Sequence, residues 1–165
     1  MTRYIAYIGL GSNLGDRAAN LRSALTRIGN IPNTSLIASS PFLETPPVDC
    51  PPGSPDFLNA VCGAETSLDA HELMMELLRI EHDMGRRRAD AWHAPRIIDL
   101  DLLLLGDVVI DTPEVIVPHP RMHERTFVLV PLAQVAPEAR HPVMKKTAQD
   151  LLASLEPLNK AKARA

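Results

Sequence analysis

Aromatic side chains are scarce here: three Phe, two Tyr and one Trp among 165 residues. Each ring placed in polar surroundings is therefore worth following. Cysteine is scarcer still. Cys50 and Cys62 fit neither a metal-ligand spacing nor a disulfide framework, so both are expected to be reduced, structurally incidental thiols. No apolar run approaches the roughly 18 residues of a membrane span, and no charged-then-apolar leader opens the chain. A soluble, cytoplasmic protein without a membrane partner is expected. The formal net charge of −3 provides no global basic field, so nucleic acid is not an expected partner. Several motifs are also missing. There is no Walker A sequence, and His71-Glu72 is followed by Met75 where a zinc protease needs its second histidine. Gly9-x-Gly11 is separated from Gly15 by three residues rather than the two of a dinucleotide fingerprint, so these glycines are read as a tight turn. Repeats and long low-complexity segments are absent. The length suits one domain, residues 1–165, with a frayed tail over 159–165.

The chain is organised around Arg96-Ile97-Ile98-Asp99-Leu100-Asp101-Leu102-Leu103-Leu104-Leu105. Apart from its two aspartates, Ile97 to Leu105 is aliphatic, and it stops at the turn signal Gly106-Asp107. That pattern predicts a strand buried on both faces. Side chains alternate along a strand, so Asp99 and Asp101 share a face, roughly 6.5–7 Å apart. Carboxylates in such surroundings are costly unless cations meet them. At this spacing they can hold one Mg²⁺, or two ions roughly 3.5–4 Å apart, against a phosphate chain.

Around this stretch, Tyr4–Leu10 reads as a first strand, followed by an amphipathic helix over about Arg17–Ile28 with Asp16 as N-cap. Thr34–Ser40 and Phe57–Thr66 read as strands, separated by a surface loop within a stretch holding six of the fifteen prolines. On the second of these strands Phe57, Asn59 and Val61 share one face, and Leu58, Ala60, Cys62 and Ala64 the other. The strongest helix spans about Ala70–Met84, with Leu73, Leu77, Ile80 and Met84 at helical intervals. Glu81 and His82, at its end, are surface positions by default. A hairpin through Gly106-Asp107 is expected to lead to Val108–Ile110, a short extended piece to cover Val115–Pro118, and helices to cover Val128–Leu132 and Thr147–Leu158. Mixed strands and helices with short turns predict an α+β domain with a mainly antiparallel sheet.

Two constellations carry chemistry. Asp99 and Asp101 with Arg86, Arg88, Arg96 and His119 form the two halves of a triphosphate clamp, metal-holding carboxylates and phosphate-forking cations. The loop Gly85–Arg96 could close over a nucleotide; taken alone, its arginines would equally suit a solvated patch or a weak RNA contact. Phe57, Asn59 and Phe127 could sandwich a flat heterocycle and read its edge.

The order and spacing of Ile8–Asp16, Thr45-Pro46-Pro47, Phe57-Leu58-Asn59-Ala60, Glu81 with Gly85-Arg86, Trp92 with Pro95-Arg96, Asp99-Leu100-Asp101 and Val117-Pro118-His119-Pro120-Arg121 together resemble the 6-hydroxymethyl-7,8-dihydropterin pyrophosphokinase family. The resemblance runs from about Tyr4 to Leu132. It implies a ferredoxin-like sandwich and transfer of pyrophosphate from ATP to the hydroxymethyl group of the pterin, in folate biosynthesis. It further implies two Mg²⁺ ions on Asp99 and Asp101, with Arg86 and Arg96 also catalytic. ATP would be held by Glu81, Arg86, Arg88, Trp92, Arg96, His119 and Arg125. Thr45, Pro46, Val48, Phe57, Asn59 and Phe127 would line the pterin site. A monomer is expected. Three departures are visible. Ala91 stands where some members carry arginine, Pro120 where others have tyrosine after the histidine, and Phe57 where others have tyrosine. They bear on lid closure and affinity, not on the metal ligands. A Mg²⁺-dependent nucleotide hydrolase and a ferredoxin-like RNA-binding module are the competing readings. The first has no use for the aromatic sandwich, and the second none for acids opposite its arginines.

Overall fold

A computed structural model describes residues 2–47, 50–85 and 95–155. Alternating apolar residues build the central sheet from β1 (Tyr4–Ser12), β2 (Thr34–Ser39), β3 (Leu43–Thr45), β4 (Phe57–Thr66) and β5 (Asp99–Leu105). Its order is β2-β4-β1-β5, every pairing is antiparallel, and β3 extends the β2 side of β4. Helix α1 (Arg17–Gly29) links β1 to β2, and α2 (Ala70–Asp83) links β4 to β5. These two interleaved strand–helix–strand units make the fold a ferredoxin-like α+β sandwich.

Local chemistry starts the helices where the sequence places them. The Asp16 carboxylate accepts the Ala19 amide at the head of α1. At the head of α2, Asp69 and Glu72 form a reciprocal capping box, which satisfies two amides that the first turn leaves without helical partners. The apolar stripes of both helices, Leu21, Ala24 and Ile28 with Leu73, Leu77 and Ile80, bury against Ile8, Leu10, Ala60 and Leu100 on one face of the sheet. Burying each such side chain contributes roughly 1.5–3 kcal/mol.

The opposite face carries α3 (Thr126–Val135) and a helical stretch over 148–155. Val128, Leu129, Leu132 and Leu151 cover Val61, Leu103 and Leu104 there. Two adjacent leucines can serve one face because the β1–β5 register slips: Tyr7 pairs with Leu104 and Ile8 with Leu102, leaving Leu103 as the extra residue of a bulge. Both faces of β5 are thus occupied at its far end, as its aliphatic run implies.

Two expectations change. Gly9 and Gly11 are strand residues inside β1, which runs on to Ser12; in that loop region only Gly15, at φ +74°, occupies a backbone region that favours glycine. The hairpin expected after Gly106 does not pair with β5. Instead β6 (Ile110–Asp111) pairs with β7 (Ile116–Val117) in a separate two-stranded sheet. The open edge of β5 is already engaged, by Glu81 at the Leu100 amide and by the His119 amide at the Leu103 carbonyl. No helix among the described residues is long and apolar enough to cross a membrane.

Candidate active site

Three neighbouring strands and the start of α3 meet at one end of the sheet. In the central strand Gly11 pairs with Asn59 on β4 and with Asp99 on β5, and Gly9 pairs with Val61 and Asp101. Neighbouring strands lie about 4.8 Å apart, so Asn59 and Asp99 face the same space across about 10 Å, over a floor without side chains. The missing β-carbons matter. One on Gly11 would stand 3.1 Å from Asn59 Oδ1 and 3.4 Å from Phe57 Cδ1.

The resulting cavity encloses about 1320 Å³. On its β4 side stand Thr45, Pro46, Phe57 and Asn59, and the Asn59 amide donates to Thr45 Oγ1 at 2.6 Å. That bond orients the side chain. Phe127, one residue into α3, faces the same cavity, and the Arg125 guanidinium lies 5.6 Å from the Phe127 ring centre, within cation–π reach. The β5 side presents Asp99 and Asp101 with Arg96, His119 and Arg125. Arg96 Nη1 lies 3.3 Å from Asp99 Oδ1. Both side chains are partly in solvent, so the pair orients more than it stabilises.

His119 is neutral at neutral pH. Burial, then the neighbouring Arg125 and Arg121 charges, push its imidazole down to about 4 against an opposing pull from Asp99. Its Nδ1 accepts the Arg121 amide at 3.2 Å, which leaves the ring proton on Nε2. Nε2 lies 3.9 Å from Asp101 Oδ1. At neutral pH this is therefore a neutral N–H facing a carboxylate rather than an ion pair, and it can donate into the cavity.

Every described residue expected at the site lines this one cavity, Glu81 included; Val48, Arg86, Arg88 and Trp92 lie outside the described residues. The default surface position of Glu81 is overturned. It is only 3% exposed and its carboxylate accepts the Leu100 amide at 2.7 Å, while His82 beside it is exposed. Two contributors escaped sequence reasoning. The side-chain carbonyl of Asn13, a residue 1% exposed, accepts the Arg96 backbone N–H at 2.7 Å, while the Asn13 backbone N–H donates to the Arg96 carbonyl at 3.0 Å, tying the arginine's backbone to the end of β1. Its signal was a polar residue between Gly11 and Gly15. Arg121 adds a further cation to the wall; it closes the Val117–Arg121 motif, but no role was expected of it.

Among the described residues no group of three or more His, Cys, Asp or Glu could hold a metal ion. Asp99 and Asp101 are thus a two-carboxylate set. It suits a cation that keeps several waters and completes its shell with phosphate oxygens, as Mg²⁺ does, and not one that needs an all-protein cage. The arrangement sets a wall with an aromatic ring and an oriented amide opposite a wall of two carboxylates and several cations, the geometry of a group-transfer site open to a flat ring and a polyanion.

Comparison with known proteins makes the assignment particular. Residues 7–137 match the family model of 7,8-dihydro-6-hydroxymethylpterin-pyrophosphokinase, and the chain belongs to that family. It is 43% identical over 131 residues to the 2-amino-4-hydroxy-6-hydroxymethyldihydropteridine pyrophosphokinase of Haemophilus influenzae, covering 79% of this chain and 81% of that one. It is 39% identical over 160 residues to the enzyme of the same name from Methylorubrum extorquens, covering 95% and 96%. The fold matches wild-type Plasmodium falciparum HPPK-DHPS solved with pterin and p-hydroxybenzoate, at a TM-score of 0.76 and 16% identity. That match covers all of this chain and 44% of the longer one.

Proposed function

We propose that the chain transfers pyrophosphate whole from ATP to 6-hydroxymethyl-7,8-dihydropterin, releasing AMP and the pterin diphosphate for folate biosynthesis. The pterin hydroxymethyl oxygen attacks the β-phosphorus of ATP, the bond from that phosphorus to the α-phosphate oxygen breaks, and the hydroxyl proton is released. The observation that carries this reading is the glycine floor, which sets a heterocycle-sized slot and a carboxylate–cation wall face to face about 10 Å apart.

Each residue then has a task. Phe57 and Phe127 stack on the pterin plane; Asn59, held by Thr45, reads its edge, Pro46 completes that wall, and Val48 keeps the pterin contact that the family resemblance implies. Arg96, Arg125 and the Nε2–H of His119 donate to the phosphate oxygens, joined by Arg86, Arg88 and Trp92, while Glu81 contacts the nucleoside. Asp99 and Asp101 hold Mg²⁺, two ions in this reading. When bound, these neutralise triphosphate charge and lower the pKa of the attacking hydroxyl. Positioning and charge neutralisation supply most of the catalysis in phosphoryl transfer, so no general base is required. A monomeric single domain in the cytoplasm belongs to the same proposal, and gel filtration tests the first part of it.

The deciding experiment incubates the protein with ATP, Mg²⁺ and 6-hydroxymethyl-7,8-dihydropterin, and separates AMP from ADP. AMP formed only with pterin present, and only with the divalent ion, is the expected result. ADP, or AMP released without pterin, overturns the reading in favour of a hydrolase.

A further inference from the structure

The edge strand that carries the two aspartates is held from behind. In the order β2-β4-β1-β5, β5 has a neighbouring strand on one side only among the described residues, and an edge strand presents backbone groups that need partners. Leu100, between Asp99 and Asp101, spends its N–H on Glu81 Oε2 at 2.7 Å. Its side chain points into the helix-facing core, where it is 5% exposed. Three residues along, the Leu103 carbonyl accepts the His119 amide at 2.9 Å. The open edge of β5 is thus gripped at two points by two residues of the cavity itself.

Glu81 is an expensive way to make that grip. It is 3% exposed, and it lies in the last turn of α2, where the helix dipole disfavours a negative charge. Its neighbours on the buried stripe, Leu73, Leu77 and Ile80, show what packing alone selects there. What the carboxylate does there is accept, at 2.7 Å, the one amide between the two acids.

We propose that Glu81 is a positioning residue for the metal ligands: through the Leu100 amide it fixes the rotation of β5, and so the direction in which Asp99 and Asp101 present their carboxylates. This rests on reading those two aspartates as the metal ligands. It is compatible with a nucleoside contact by Glu81, because a carboxylate has further lone pairs. It differs from such a contact in what the oxygen must do. Gripping an amide needs reach and an acceptor, which glutamine retains and aspartate loses.

The test uses the full chain with Mn²⁺ and a non-hydrolysable ATP analogue, reading Mn²⁺ affinity by electron paramagnetic resonance and Leu100 amide exchange by NMR. Glu81→Ala is expected to weaken Mn²⁺ binding by about tenfold or more, the range typical of lost support behind a metal ligand. The Leu100 amide should exchange faster in parallel. Glu81→Gln restores both properties to near wild type. Glu81→Asp resembles alanine and serves in its place if the alanine variant does not fold. The opposite ordering, with Asp retaining metal affinity and Gln losing it, overturns the proposal. So does unchanged Mn²⁺ affinity in Glu81→Ala with only the KM for ATP raised, which would leave a nucleoside contact alone. Asp101→Asn separates the two levels. If it leaves Mn²⁺ binding intact, the metal-ligand reading itself fails and takes this proposal with it. If it abolishes binding while Glu81→Ala does not alter it, only the positioning role fails.

Discussion

Gly11 and Asn59 face each other across the β1–β4 pairing at a distance that leaves little room for a β-carbon, which would stand 3.1 Å from Asn59 Oδ1. Phe57, at 3.4 Å, closes the same space. The heterocycle slot therefore depends on a residue that touches no substrate through a side chain. Gly11→Val is expected to raise the pterin dissociation constant by about tenfold or more, since overpacking costs roughly 1–3 kcal/mol and falls here on the Asn59 side chain. Calorimetric titration with pterin and with an ATP analogue checks this. Equal loss of both ligands would show a general collapse of the site instead.

Asp99→Ala and Asp101→Ala should each lower kcat by more than about tenfold, a loss above about 1.4 kcal/mol in transition-state stabilisation. Both aspartates are only partly buried at a strand surface, so circular dichroism should report an unchanged fold. Retention of more than a small part of wild-type turnover would remove them from the metal site.

Phe127→Ala should weaken pterin binding by about tenfold and ATP binding by much less, because a stacking ring contributes roughly 0.5–1.5 kcal/mol beyond its area. A modest ATP effect is built into the geometry, since the Arg125 guanidinium lies 5.6 Å from the ring centre. Separate titrations of the two ligands measure the ratio; parity would argue against stacking.

The acid side of the stability profile should carry the signature of His119. Its imidazole sits at about 4 in the folded protein against 6.5 for the free side chain. Between those values the unfolded chain binds the extra proton and the folded chain does not, so folding stability falls as pH drops from 6.5 through 4. The contribution is fully present above 6.5 and is on the order of 3 kcal/mol. Urea denaturation across this range should show a steeper decline for the wild type than for His119→Gln.

The two thiols should differ sharply. Cys62 is fully buried, and burial pushes its thiol up to about 12, so it is protonated and shielded at pH 8. Cys50 is partly exposed on the cavity wall. A disulfide reagent at that pH should titrate one thiol in the native protein and the second only in denaturant. Bound pterin should slow the first.

Much of this was legible before any tertiary contact was known. The apolar alternation from Phe57 to Ala64 identified both faces of β4, and the cap at Asp16 marked where the first helix begins, because these signals act over a few residues. The same is true of the two aspartates: an alternating strand fixes their common face whatever surrounds it. What surrounds it was another matter. Whether Gly9 and Gly11 make a turn or a floor depends on Asn59 and Asp99, both far away in sequence. Glu81 looked exposed because a carboxylate at a helix end normally is, and only the arrival of the β5 edge gave it an amide to accept. Val108–Ile110 had the composition to return along β5, but that edge was already engaged by Glu81 and His119. Local hydrogen bonds and hydrophobic periodicity thus determined the elements and the chemistry each one carries. Packing decided which backbone groups remained to be satisfied, and through them where the floor, the grip and the two walls of the site would lie.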